Sequence, residues 1–293
     1  MATSQLPIVV GVITALILLP LAVMLLVRLI VREGPAPEPE PMAEFETLRD
    51  FWEGTVPHLR ELRDRLIKSL VALAIGTAIG FWLVNSPILF GQPLPDVIAE
   101  QLAPGVTLQA LAVGEKFVSY MRIALVIGIS LAMPVIIYQL IAFFAPGLLP
   151  HEKRILFTAL PFVVELFLAG LAFGWFFTVP AAVQFLLNYG ESEHIRAAPS
   201  LASFISTVST LLLWNGLIFE LPALIYLLAW LGLVNAKMLA RTRRYAIVII
   251  VIAAAIITPT PDPFNLLILA IPMCLLYELG ILLARFAPRR SAS

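Results

Sequence analysis

Seven runs of apolar residues, parted by polar or proline-rich breaks, constrain this chain more than any other feature. They are Leu6–Val31, Leu66–Val84, Phe117–Phe144, Ile155–Val179, Phe204–Leu231, Tyr245–Thr258 and Leu266–Leu283. A helix needs about 20 apolar residues to cross a ~30 Å hydrocarbon core. Backbone facing lipid must satisfy its own hydrogen bonds, which only helices and closed barrels do. These runs lack the apolar–polar alternation of barrel strands, so the fold class is an all-α polytopic membrane protein. Composition agrees: only 13% of residues are charged, where a soluble domain carries about a quarter. Tyr245–Thr258 is short, and only Pro259–Asn265 separates it from the last run. That pair is expected to stop short of a full crossing.

Basic residues set the orientation. Sixteen of the 19 Lys and Arg fall in the segments Arg28–Lys68, Lys153–Arg154, Lys237–Arg244 and Arg285–Arg290. Lys116, Arg122 and Arg196 remain for the opposite side. Basic loops stay cytoplasmic, so Arg32–Leu66, Ala145–Arg154, Gly232–Arg244 and the C-terminus are predicted to face the cytoplasm, with Met1–Gln5 outside. The first run has no positive charge before it, and Arg28 and Arg32 lie at its far end, which suits a retained anchor better than a cleaved signal.

The resulting organisation is an accessory transmembrane helix over residues 1–32, an acidic Pro-rich cytoplasmic linker over 33–56, a six-span core over 57–286, and a tail over 287–293. Within the linker, Gly34–Pro41 alternates proline with acid and predicts an extended spacer. On the outer side, Asn85–Glu115 and Pro180–Ser203 are long loops. Asp96–Leu102 and Leu108–Glu115 are predicted as short surface helices, and Ala181–Tyr189 continues a helical pattern past Pro180.

Several chemistries find no support. Cys274 is the single cysteine, and His58, His151 and His194 lack metal-ligand spacing. No phosphate loop or nucleophile elbow is present. The reading is therefore of a non-enzymatic chain without cofactor, metal or nucleic-acid partner.

The informative positions are charges beside or within the spans. In His58-Leu-Arg-Glu-Leu-Arg-Asp-Arg-Leu66, Glu61 and Arg65 are spaced i,i+4, as are Asp64 and Lys68. This suits a salt-bridged helix leading into a span, or a carboxylate presented at the membrane edge. Glu152 follows Pro146-Gly147-Leu148-Leu149-Pro150 and either caps a helix or presents a second carboxylate. Glu165 and Glu220 each lie ten residues into a span from the cytoplasmic end, about 15 Å deep. Each is a neutral acid bonded to a neighbouring helix, or a polar site for a partner helix or a proton. Pro222, beside Glu220, predicts a kink. Asp262 reads as turn chemistry. Glu278 is assigned to a nearby arginine such as Arg285.

In order and spacing, these motifs resemble the TatC family, the multispanning receptor subunits of the twin-arginine protein translocase. The match runs from about Pro57 to Phe286. It rests on His58-Leu-Arg-Glu-Leu-Arg, Pro134-Val-Ile-Ile-Tyr-Gln, Phe143-Phe-Ala-Pro-Gly-Leu, His151-Glu-Lys-Arg, Gly170-Leu-Ala-Phe-Gly-Trp-Phe, Phe219-Glu-Leu-Pro, Arg243-Arg-Tyr, Thr258-Pro-Thr-Pro-Asp-Pro and Tyr277-Glu-Leu-Gly. The resemblance implies a cupped six-helix bundle in the cell membrane. Its cytoplasmic face would bind the Arg-Arg signal peptides of folded precursor proteins. Glu61 and Glu152 would meet the two arginines, with Phe143 and Leu148 shaping the site. Glu220 would be the polar residue of the concave face. Thr258, Thr260 and Asp262 would lie near the docking site of single-span TatA- and TatB-type subunits, in an oligomeric complex driven by the proton gradient. The extra first helix and Glu165 depart from the family plan, as does Asn265-Leu266 where some members carry a glutamine. A proton-coupled secondary transporter, relaying through Glu165, Glu220 and Asp262, is the competing reading, although no internal repeat supports it. An inert scaffold is the third.

Overall fold

The computed structural model describes residues 48–87, 91–144, 150–190 and 198–286. The first apolar run, the Pro-rich spacer, Leu148 and the tail lie outside them. The helices are α1 (Leu48–Asn85), α2 (Leu94–Leu102), α3 (Glu115–Phe144), α4 (Pro150–Phe173), α5 (Val179–Asn188), α6 (Leu201–Phe219), α7 (Leu221–Trp230), α8 (Ala236–Arg241), α9 (Arg243–Ile257) and α10 (Pro263–Phe286). A π-helical turn, Gly174–Thr178, joins α4 to α5. Helices dominate because each apolar run is long enough to satisfy its backbone internally.

Five stretches are long and apolar enough to cross a membrane: Val56–Asn85, Glu115–Phe143, Leu160–Asn188, Leu201–Trp230 and Pro263–Phe286. Helix α9 has only 15 residues, about 22 Å of rise. The expected shortfall thus belongs to α9 alone; α10, with 24 residues, suffices for a crossing. Helix α1 starts at Leu48, so the charged block around Glu61 and the span after it form one continuous helix. Ala181–Tyr189 is helical as expected, over Val179–Asn188.

The chain divides into two compact units. Of the described residues, the first holds those up to Ile79 and those between Ile127 and Glu165. Here α1 and the second half of α3 run antiparallel and almost touch. A Cβ on Gly76 would lie 2.6 Å from the Gly128 carbonyl oxygen, and one on Gly128 would lie 2.5 Å from Thr77 Oγ1. Small residues permit such approaches between membrane helices, where lipid tails supply no hydrophobic drive for association.

The second unit holds the described residues between Gly80 and Val126 and those from Leu166 onward. One close approach sets α4 on α6: a Cβ on Gly170 would run into the Asn215 carbonyl oxygen. Asn215 is fully buried. Its amide nitrogen donates to the Leu211 carbonyl at 2.8 Å, and its side-chain oxygen accepts from the Thr178 hydroxyl at 3.2 Å. The π turn therefore comes where a buried polar pair needs satisfying. Ile218, Ile250, Ala254, Leu269, Ala270, Met273 and Leu276 form the apolar core joining α6, α9 and α10. Gly280 of α10 receives the Ile225 side chain of α7.

The outer loops differ from expectation at one place. Asp96–Leu102 is helical, within α2, but Leu108–Gly114 is not, and helix begins only at Glu115. The physical reason is a competing set of bonds. The Gln109 N–H donates to Pro199 O at 3.3 Å, and Gln109 O accepts from Leu201 N at 2.9 Å. Gly114 then turns the chain at φ +86°, a left-handed conformation that glycine adopts without penalty.

Candidate functional site

The charged block of α1 and the end of α3 build one cluster within the first unit. Arg65 and Gln139 lie eleven positions from Gly76 and Gly128 respectively. Eleven residues are about three turns, so each pair falls on the same face at the same level of an antiparallel pairing. Arg65 Nη1 accordingly donates to Gln139 Oε1 at 3.4 Å. Its other donors turn along α1: Nε and Nη2 both reach Glu61 Oε1, at 3.0 and 2.5 Å. The expected i,i+4 pair is present. The Asp64–Lys68 counterpart is replaced by a neighbour contact, with Arg63 Nη2 2.9 Å from Asp64 Oδ1.

One turn earlier on α1, the His58 ring stacks on Phe143, with centroids 4.6 Å apart. His58 Nδ1 lies 3.9 Å from the second carboxylate oxygen of Glu61, Oε2. Glu61 thus has one oxygen committed to Arg65 and the other turned toward a stacked aromatic pair. Both charged groups are only partly covered, Glu61 at 32% and Arg65 at 22% exposure. Guanidinium groups favour this setting: a carboxylate oxygen at the fork and an aromatic face alongside. Of the anticipated site residues, Glu61 and Phe143 come together through His58. Glu152 lies in the first turn of α4, its side chain outside the described residues, as is all of Leu148.

The remaining anticipated residues behave individually. Glu165 is exposed on α4. Glu220 sits at the junction where α6 stops at Phe219 and α7 restarts at Leu221. The predicted kink is a one-residue interruption: Glu220 keeps φ −77° and ψ −10° and accepts from Leu224 N–H at 2.9 Å, with Pro222 in the first turn of α7, where its missing N–H costs little. Glu220 Oε1 is buried without a hydrogen-bond partner, between Phe219 and Leu221, which pack on the apolar core. Thr258 is buried and donates to the Ala254 carbonyl at 2.7 Å; Thr260 is buried as well.

Asp262 caps α10. Its Oδ2 accepts from the Asn265 N–H at 2.7 Å and its Oδ1 from the Asn265 amide at 2.9 Å. Partial desolvation pushes its carboxyl up, but the hydrogen bonds it accepts, that from the Asn265 N–H first among them, together outweigh this and hold it below the usual aspartate value. The turn reading is therefore an N-cap followed by proline at the first helical position.

Glu278 finds a different arginine from the expected Arg285. Arg243 Nη2 donates to its Oε2 at 2.8 Å, and Arg243 Nε lies 2.5 Å from Oε1. Arg243 opens α9, which packs against α10, so the pair crosses between helices. Sequence reasoning also passed over Gln139, Asn215 and Glu115. All three carried one usable signal, a polar side chain inside or at the border of an apolar run. Glu115 is 8% exposed. It accepts from the Leu111 and Ala112 N–H groups at 2.6 and 3.0 Å and from Ala202 N–H at 2.7 Å. Among the described residues, no group of His, Cys, Asp and Glu side chains is arranged to hold a metal ion.

Comparison with known proteins decides the family. The family model described as TatC, Sec-independent protein translocase protein, matches residues 57–272. The chain belongs to the TatC family. The match begins at Pro57, one residue before the His58–Glu61 block, and excludes the acidic linker. Curated TatC proteins agree. That of Deinococcus radiodurans is 40% identical over 232 residues, covering 78% of this chain and 84% of its own. That of Aquifex aeolicus is 37% identical over 238 residues, covering 80% and 95%. A crystal structure of the twin-arginine translocase receptor TatC superposes with TM-score 0.65 at 36% identity, covering 79% of this chain and all of that one. A second, in DDM, gives TM-score 0.66 over 78% and 99% at the same identity. TatC membership makes the chain a multi-pass membrane component of the Sec-independent protein translocase, in place of the proton-coupled transporter considered from its midplane acids.

Proposed function

We propose that this TatC-family chain is the receptor that captures twin-arginine signal peptides of folded precursors at the cytoplasmic face. Glu61 receives one guanidinium beside the His58–Phe143 pair, and Glu152 receives the second, with Leu148 completing the site. The observation that carries this reading is Glu61 itself, a carboxylate with Oε2 turned toward a stacked aromatic pair at the edge of a membrane-crossing helix. Arginine offers a planar fork to such an acceptor; lysine offers a point charge. The basic-loop count supports placing this edge in the cytoplasm.

Single-span TatA- and TatB-type subunits then dock near Glu220, Thr258, Thr260 and Asp262, and the proton gradient drives transport. A buried carboxylate oxygen without a partner at Glu220 supports a polar contact from another helix, since orphaned acceptors within a membrane are costly. Glu165, exposed on α4, is a further candidate partner contact. The extra N-terminal helix and its linker remain an accessory to the 57–286 core.

The test is equilibrium binding of a fluorescent signal peptide to the purified full-length chain, comparing Arg-Arg with Lys-Lys. The expected result is a preference for Arg-Arg that the Glu61→Ala/Glu152→Ala double variant abolishes. Binding that ignores both changes would overturn the receptor reading.

A further inference from the structure

Glu61 already holds an arginine. Both Arg65 Nε and Arg65 Nη2 are spent on Glu61 Oε1, at 3.0 and 2.5 Å, and Nη1 is tied to Gln139 at 3.4 Å. A peptide arginine arriving at this carboxylate meets a group already neutralised by the same chemistry. We propose that Arg65 is a resident competitor for Glu61, so that peptide capture exchanges one guanidinium for another. The proposal rests on the receptor reading of Glu61 given above and names the residue that sets its selectivity.

Exchange follows from three features of the cluster. Arg65 and Glu61 are one helical turn apart on α1, so the pair forms without any tertiary change. Both are partly exposed, at 22% and 32%, so Arg65 can swing aside into solvent at small cost, as exposed ion pairs contribute little. Gln139, on α3, gives the displaced guanidinium a neutral acceptor on its own side of the cluster. Meanwhile Oε2 faces the His58–Phe143 pair at 3.9 Å from His58 Nδ1, offering an arriving arginine a first contact before Arg65 leaves Oε1.

Selectivity is the consequence. An incoming arginine replaces two donors on Oε1 with two equivalent donors, and the charge at Glu61 is the same before and after. A lysine ammonium must displace a two-donor fork with a single point of attachment, and loses. The same competition lowers affinity for the correct peptide, which favours release. In the empty receptor Glu61 keeps a compensating charge at the membrane edge.

The experiment is peptide binding to the full-length chain carrying Arg65→Gln, Arg65→Lys, Gln139→Leu or Glu61→Gln, each checked for a cooperative melt in detergent. Arg65→Gln is expected to tighten Arg-Arg peptide binding by roughly 1.5- to fivefold. It is expected to tighten Lys-Lys binding more, so that the Arg/Lys ratio narrows. Arg65→Lys, which leaves a cation beside Glu61 without the two-donor fork, is expected to give a smaller gain in the same direction; it decides the matter if Arg65→Gln does not fold. Gln139→Leu, which removes the acceptor of the displaced guanidinium, is expected to weaken Arg-Arg binding. Unchanged or weaker Arg-Arg binding in the folded Arg65 variants, with binding lost in Glu61→Gln, overturns the exchange while leaving the receptor reading intact. Binding that survives Glu61→Gln at wild-type strength removes Glu61 from the site, and the exchange with it.

Discussion

Gly76 and Gly128 face each other so closely that a methyl group on Gly76 would sit 2.6 Å from the Gly128 carbonyl oxygen. The obstacle is backbone, which cannot move aside as a flexible side chain can. This contact fixes the level at which α1 meets α3. Three turns along, the same pairing brings Arg65 to Gln139.

Gly76→Ala should therefore separate the two helices. Overpacking of a tight contact costs about 1–3 kcal/mol, and the Arg65–Gln139 bond, already 3.4 Å long, should be lost with it. A thermal melt in detergent and signal-peptide binding measure the two effects. A variant that melts like wild type would show that the helices are not held at this point.

Glu115 ties the loop before α3 to the start of α6 through three backbone N–H groups. Glu115→Ala leaves those donors without their acceptor. The expected outcome is a melting temperature several degrees lower and faster hydrogen exchange at Leu111, Ala112 and Ala202. Glu115→Gln should recover part of the loss, since an amide oxygen still accepts. Exchange rates unchanged at all three amides would contradict the assignment.

Asp262 gives a pH dependence with a definite sign. Its folded carboxyl lies below the unfolded value, about 3.9. The capping contribution is therefore complete above about pH 4 and is lost as pH falls through the lower folded value. Asp262→Ala should melt earlier than wild type at pH 7, and the gap should close as the pH is lowered past the folded value. A gap that widens on acidification would refute the capping role.

Arg243 and Glu278 join α9 to α10 through two contacts. Both side chains are nearly half exposed, so the pair contributes about 0.5–1 kcal/mol. Arg243→Gln should lower stability by that much, and the exchanged double variant Arg243→Glu/Glu278→Arg should restore most of it. Two single losses that simply add in the double variant would mean the groups do not interact.

The sequence by itself determined that this is a helical membrane protein, roughly where the five crossing stretches among the described residues lie, and that α9 is short. Each of these follows from hydrophobic length, a property local to the chain. The Glu61–Arg65 pair and the kink at Glu220 were legible too, because i,i+4 geometry and the missing N–H of Pro222 act within one helix. The tertiary structure alone decided the rest. Leu108–Gly114 is not helical because Gln109 pairs with Pro199 and Leu201 from another loop. Glu278 takes Arg243 because α9 packs beside α10. Glu61 meets Phe143 through His58 because two glycines let α1 and α3 close up. These outcomes depend on contacts between residues distant in sequence. Which polar group satisfies which is set by the few places where backbones can approach, and hydropathy does not encode those.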